Sequence, residues 1–215
     1  VWCRAVDSGG QGGDQMGYSV AAIGDVTGDG KPDFVAGAPF DDTPSGNAGS
    51  VVVFSGANCV YQRKLTDPAG AADDQLGISV AGVKNASGAL TSSVLAGANL
   101  DNELVSDQGS VSLFSAATGA FVRKMVDPAG VAGDQLGWSV ASIGDVDDDT
   151  ISDVLAGAIR DDTGPGVDHG SVVVFSGDDG SYVRKMVDPS GAESDLLGAS
   201  VAAIGDVTGD GVPDV

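Results

Sequence analysis

The sequence contains few of the side chains on which most enzymes and nucleic-acid-binding proteins depend. It has one histidine, two cysteines and ten lysines and arginines, against 31 acidic residues. The formal net charge of -21 would repel a phosphate backbone, so nucleic acid is not an expected partner. Aromatic residues make up only 5% of the chain. No apolar run approaches the roughly 18 residues of a membrane-spanning helix, so no membrane span is expected.

Glutamate is almost absent from the acidic residues. Only Glu103 and Glu193 are glutamates, and the other 29 acidic residues are aspartates. Because aspartate favours turns and caps while glutamate favours helices, the negative charge is expected in loops. Clustered carboxylates repel one another without counter-ions, which suggests bound cations.

The two cysteines, Cys3 and Cys59, leave two states open. They are compatible with one disulfide in an oxidising compartment or with two free thiols. The chain opens at Val1 rather than Met, so we expect a processed product or a piece of a longer protein.

An internal repeat is the strongest signal in the chain. Segments that begin GYSVAAIGD, GISVAGVKN, GWSVASIGD and GASVAAIGD start at glycines 60, 60 and 61 residues apart. Each period contains short runs rich in Val, Phe and Tyr between Gly, Pro and Asp, which is the pattern of β-strands. Four strands per repeat predict an all-β fold, a β-propeller built of four-stranded antiparallel blades. The predicted parts of this single 1–215 domain are an outer strand of a partial blade at 1–7, full blades at 14–67, 74–127 and 134–188, and the start of a further blade at 195–215.

The first acidic loop places oxygen-bearing residues at alternating positions. Asp25, Thr27, Asp29 and Asp33 occupy positions 1, 3, 5 and 9, with Lys31 at position 7 as a possible carbonyl donor. Ca²⁺ takes six to eight oxygen ligands, and a curled loop can direct alternate residues at one centre. The alternative is that Asp and Gly simply form a turn.

The run G-x-SVA-x-x-GD-x-x-GDG-x-x-D-x-x-x-GAP resembles the FG-GAP repeat, known from the propeller of integrin α-subunits and from secreted bacterial proteins. The GAP tail stands at Gly37–Pro39 and becomes GAN and GAI in the next two copies, and a leucine or methionine replaces the phenylalanine of the family's name. The resemblance implies structural Ca²⁺ between the first and second strands, in about three sites. The implied ligands of the third and fourth copies are Asp145, Asp147, Asp149, Ile151 and Asp153, and Asp206, Thr208, Asp210, Val212 and Asp214. No metal is expected in the 85–93 loop, which lacks carboxylates.

The resemblance also implies an extracellular or cell-surface location and a role in adhesion. A protein or glycan ligand is expected at the loops that join strands two and three and strands four and one. Further strands of a longer chain, or another copy, could complete the ring. Two alternatives stay open: a structural module of a surface layer or filament, and the propeller domain of a polysaccharide-active or other secreted enzyme.

We do not expect this chain itself to be an enzyme. The repeated G-x-S-V-A motif lacks the final glycine of a nucleophile elbow and occurs four times, so its serines are interpreted as structural. The single histidine, His169, lies in a Gly- and Asp-rich stretch and is expected to be a solvated loop residue.

Overall fold

The computed structural model describes residues 3–85, 87–164 and 166–215. These residues form twelve strands, and none of them forms a helix that could span a lipid bilayer. The strands are β1 (Val20–Ile23), β2 (Asp33–Ala38), β3 (Ser50–Phe54), β4 (Tyr61–Leu65), β5 (Ser79–Lys84), β6 (Leu90–Ala98), β7 (Ser110–Ser115), β8 (Phe121–Met125), β9 (Leu136–Ser142), β10 (Val154–Ala158), β11 (Ser171–Phe175) and β12 (Tyr182–Met186).

The strands form three antiparallel sheets in simple up-and-down order: β1–β4, β5–β8 and β9–β12. The register repeats from sheet to sheet, so that Val35, Leu95 and Leu155 pair with Val53, Leu113 and Val174. The third strand of the first and third sheets is buried along its whole length, which explains its continuous SVVVF sequence. The prediction of an all-β fold with four-stranded antiparallel blades is confirmed.

The blades pack face to face through apolar side chains that alternate along each strand. Val35, Val51 and Leu65 of the first blade pack against Val94 and Phe114 of the second. The second blade presents the equivalent side chains to the third, in a core that contains Leu95, Val111 and Phe175. The first strands β1, β5 and β9 contact one another in sequence, as the innermost strands of a propeller do.

The second strand of a blade approaches the next blade too closely for any residue larger than glycine. A Cβ on Gly37 would lie 2.0 Å from the carbonyl oxygen of Gly77 in the next blade, and one on Gly97 would lie 1.9 Å from that of Gly137. The hydroxyl of Ser19 donates to the Gly77 carbonyl at 2.8 Å. The Ser19 hydrogen bond and the absence of a side chain at Gly37 therefore allow consecutive blades to pack closely. The serine of the repeated G-x-S-V-A motif thus has a structural role.

Each full blade is also tied to the segment before it by a lysine clamp, defined here as a fourth-strand lysine between two aspartates. Lys124 Nζ lies 2.7 Å from Asp67 Oδ2 and 2.6 Å from Asp101 Oδ2. Lys185 bridges Asp127 and Asp161, and Lys64 bridges Asp7 and Asp41. The fourth strand of each blade therefore carries a specific ionic contact to the preceding repeat.

The segments at 3–7 and 195–215 differ from the full blades. No strand is assigned to residues 3–7, while the first two residues of the expected outer strand at 1–7 lie outside the described residues. Asp7 nevertheless occupies the place of Asp67 and Asp127 in the clamp. At the other end, residues 195–215 carry two isolated bridges, Gly170 with Leu197 and Gly205 with Asp214.

A disulfide joins Cys3 to Cys59, so the alternative of two free thiols is not realised. It links the first described residue to the turn between β3 and β4. The expectation for His169 was wrong. Its side chain is fully buried, because Gly164 and Gly191 leave room for the imidazole ring.

Candidate metal centre

The first acidic loop joins β1 to β2 and is built around the carboxylate of Asp25. This carboxylate accepts backbone N–H bonds from Gly28 (2.7 Å), Asp29 (3.2 Å) and Gly30 (2.7 Å). These bonds, that of Gly30 first, lower the pKa of Asp25 below its usual value. Gly28 and Gly30 have positive φ angles of 77° and 82°, the conformation that lets the loop curl around the carboxylate.

Asp33 closes the loop from the start of β2. Its Oδ2 accepts from the N–H groups of Val26 (2.7 Å) and Thr27 (2.9 Å), and the side chain is 1% exposed. One carboxylate oxygen each from Asp25, Asp29 and Asp33 lie within 4.8 Å of one another. The hydroxyl of Thr27 lies 3.4 Å from oxygens of both Asp25 and Asp33. Four of the predicted ligands therefore converge, while Lys31 is exposed and its N–H donates to Asp29.

The third loop, between β9 and β10, has similar hydrogen bonds but gathers a different set of carboxylates, which does not include Asp153. Asp145 accepts from Asp149 (3.1 Å) and Thr150 (2.7 Å), and Asp145, Asp147 and Asp149 bring carboxylate oxygens within 4.8 Å. Asp153 is fully buried, and its oxygens accept from Val146 and Gly177. Ile151, the predicted carbonyl donor, is 41% exposed.

The charge of the third loop is not balanced by the protein. Burial raises the pKa of Asp153 above its usual value, and the neighbouring carboxylates of Asp147 and Asp149 add to the rise. A cation among these oxygens would remove that repulsion. Oxygen-only donors held a few ångströms apart suit a hard cation such as Ca²⁺, so the residues present fit the ion that the resemblance implies.

The fourth loop has the hydrogen bonds of the first. Asp206 accepts from Gly209 (2.6 Å) and Gly211 (2.9 Å), and Asp214 accepts from Val207 and Thr208. Asp210 accepts from Val212. The residues lie in the segment without a blade around it, and among the described residues the three-carboxylate clusters occur only in the first and third loops.

The second loop is a tight turn in which Asn85 replaces the first aspartate. The Asn85 side-chain oxygen accepts from Ser87 N–H (3.0 Å) and Oγ (2.7 Å) and from Ala89 N–H (3.0 Å). The strand β6 begins at Leu90 here, earlier than in the other blades. This loop shows that the turn forms without carboxylates, so the aspartates of the other loops are not needed for the turn itself.

A serine and a glycine of the β3–β4 and β11–β12 turns complete the two acidic sites, and the sequence reasoning missed them. Ser55 Oγ donates to Asp29 Oδ2 at 3.2 Å, and Gly56 N–H donates to Asp33 Oδ1 at 2.9 Å. Ser176 and Gly177 make the same contacts in the third blade. The signal was present: these turns read FSG, whereas the second blade, without carboxylates, reads FSA.

Four-stranded blades that pack face to face, with an acidic loop between the first and second strands, define a propeller-type repeat protein. The family model of the FG-GAP repeat matches residues 16–54, so the first blade is an FG-GAP repeat, as its motifs indicated. The second and third blades share its strand order and register. No curated protein sequence matches the chain.

Proposed function

We propose that the chain is a Ca²⁺-binding propeller module of an extracellular or cell-surface protein, with a role in adhesion. The observation that carries the proposal is the convergence of three carboxylates in each of two equivalent loops. The disulfide between Cys3 and Cys59 supports an oxidising compartment. The bound ions would be structural, because each would fix the connection between an inner strand and its neighbour.

The proposed ligand surface lies at the opposite end of the blades from the metal loops. There the loop between β2 and β3 contacts the segment that leads into β5: Asn47 donates to the Asp73 carboxylate at 2.8 Å, and Gln75 N–H donates to the Asn47 carbonyl. The loops of successive blades thus form one continuous surface. It exposes apolar side chains, of which Leu104 is 60% exposed, Val131 51% and Val167 59%. Exposed apolar groups within an acidic surface support a protein ligand.

The proposal includes no catalytic activity for this chain. His169 is buried and its Nδ1 lies 2.9 Å from the carbonyl of Gly170, so the ring is not available to a substrate. Pairing with further blades, from a longer chain or from another copy, stays part of the proposal. It is supported by Val20, which is 67% exposed although its equivalent Val140 is 9% exposed beneath the preceding blade.

Loop variants test the metal assignment. Each of two double variants removes two candidate carboxylate ligands and retains side-chain acceptors for the loop N–H groups. They are Asp25→Asn with Asp29→Asn in the first loop and Asp145→Asn with Asp149→Asn in the third loop. We expect each pair to lower the number of Ca²⁺ ions bound and the rise of the melting temperature in Ca²⁺. Asn85→Ala in the second loop is the matched control and should leave both unchanged. Equal Ca²⁺ responses in all variants would contradict the proposal.

Adhesion is tested separately at the loop surface. Leu104→Ser with Val131→Ser should weaken binding of the full-length protein to surfaces of its source cells or matrix, with Ca²⁺ binding unchanged. Undiminished binding, together with altered assembly into layers or filaments, would instead favour the structural-module alternative.

A further inference from the structure

A third aspartate lies beside the lysine clamp at the two junctions between full blades. Asp74 and Asp134 are 3% and 2% exposed. The Oδ2 atom of each accepts one backbone N–H bond, from Ala71 (2.6 Å) and from Val131 (2.7 Å). The Oδ1 atom of each is buried without a hydrogen-bond partner among the described residues.

The charged groups around these oxygens do not balance. At the first junction the charges of Asp67, Asp101 and Lys124 act on Asp74. Glu103 lines a cavity of about 200 Å³ with Asp74 and Asp101 and lies 3.1 Å from the lysine ammonium. One ammonium group thus faces at least three carboxylates.

The second junction repeats the imbalance. The charges of Asp127, Asp161 and Lys185 act on Asp134. Arg160 belongs to the adjoining loop, and its backbone N–H donates to the Asp134 carbonyl at 3.2 Å. Burial, reinforced by the nearby carboxylates, raises the pKa of Asp74 and of Asp134 to about 6.

A metal ion fits these places poorly. Among the described residues, three carboxylates come within 4.8 Å of one another only in the β1–β2 and β9–β10 loops. The lysine ammonium already occupies the position between the clamp carboxylates and would repel a second cation. A proton is the cation that an orphaned, buried carboxylate oxygen can take without further ligands.

We propose that Asp74 and Asp134 are proton-binding sites, at which neutral carboxylic acids tighten the blade junctions in mildly acidic solution. The sign follows from linkage. Because the folded pKa lies above the unfolded value of 3.8, the folded state takes up protons as the pH falls through about 6. The ionised carboxylates of Asp74 and Asp134 therefore destabilise the folded state most above about pH 6, and this destabilisation disappears below the unfolded pKa of 3.8.

The test is the pH dependence of unfolding for the variant Asp74→Asn with Asp134→Asn, at fixed Ca²⁺. Between about pH 8 and about pH 5 each site should lower the unfolding equilibrium constant roughly tenfold, and both together roughly a hundredfold. The double variant should lose this dependence and equal or exceed the wild-type stability at the higher pH. Asp195→Asn is the matched control: it has the same repeat position and the same N–H bond, but an exposed side chain.

Carbon-13 NMR of the aspartate carboxyls in the wild-type protein provides a second measurement that needs no variant. The carboxyls of Asp74 and Asp134 should titrate near pH 6. The proposal is overturned if both remain ionised at about pH 5, or if the double variant keeps the wild-type pH dependence. Neither result would bear on the Ca²⁺ loops, so the two proposals fail separately.

Discussion

Replacement of Thr150 by glycine should stabilise the protein. Thr150 lies in the third metal loop with φ = 74°, in the left-handed region that β-branched residues rarely adopt. The equivalent residues of the first and fourth loops are Gly30 and Gly211, with φ of 82° and 89°. The third loop therefore adopts the same backbone with a residue that is strained in it.

The magnitude follows from two opposing effects. A non-glycine residue held in a sparsely populated region costs about 1–3 kcal/mol. Removal of this strain is partly offset because glycine loses more conformational entropy on folding, which costs about 0.5–1 kcal/mol. The backbone N–H of residue 150, which donates to Asp145 at 2.7 Å, is retained. We therefore expect a net stabilisation of about 1 kcal/mol, or roughly 2–4 °C in melting temperature for a chain of this size.

The assay is urea unfolding of Thr150→Gly and wild type, each in excess Ca²⁺ and in chelator. The reciprocal variant Gly30→Ala provides the control. Nothing lies within 4 Å of the added Cβ, so its loss of stability would report backbone strain alone. If Thr150→Gly is no more stable than wild type while Gly30→Ala is destabilised, the strain assigned to Thr150 is absent.

Three further predictions concern contacts between segments. Lys124→Met should lower the free energy of unfolding by about 3–5 kcal/mol, because it leaves buried carboxylates unpaired, whereas the exposed Lys31→Met should change it little; equal effects in chemical denaturation would contradict the clamp. Reduction of the Cys3–Cys59 disulfide, which spans 56 residues, should cost at most about 4 kcal/mol, and an unchanged unfolding midpoint in reductant would refute a stabilising role. Burial raises the pKa of Asp41 and of Asp161, but hydrogen bonds from a lysine and a serine outweigh it and hold each pKa below its usual value. The stability that these ionised carboxylates contribute should therefore be present above about pH 4 and be lost as the pH falls further. An acid transition that is the same in Asp41→Asn and wild type would contradict this.

The strands could be predicted from the sequence because each is a short apolar run between turn residues. Four such runs in each repeat predicted the four-stranded antiparallel sheets that are observed. The repeat also located the acidic loops, since spacing along one loop is local information. The start of β6 was harder to predict from the repeat, because this strand begins at Leu90, within the loop that lacks carboxylates.

The contacts between blades could not be predicted in the same way. Lys124 contacts Asp67 and Asp101, which lie far from it in the sequence, and no local pattern links the three residues. His169 was misjudged because its Gly-rich surroundings are typical of an exposed loop. In the folded chain only one of these glycines, Gly164, leaves room for the ring, together with Gly191 from a later loop. Long-range packing, rather than local propensity, decided both cases.

The measurement that tests the account most directly is a calorimetric Ca²⁺ titration of the chelator-treated chain, with melting curves recorded alongside. We expect about three sites, in the loops that begin at Asp25, Asp145 and Asp206, and a higher melting temperature in Ca²⁺. The absence of binding heat, with a melting temperature that chelator does not change, would contradict it and reduce the aspartate loops to turns.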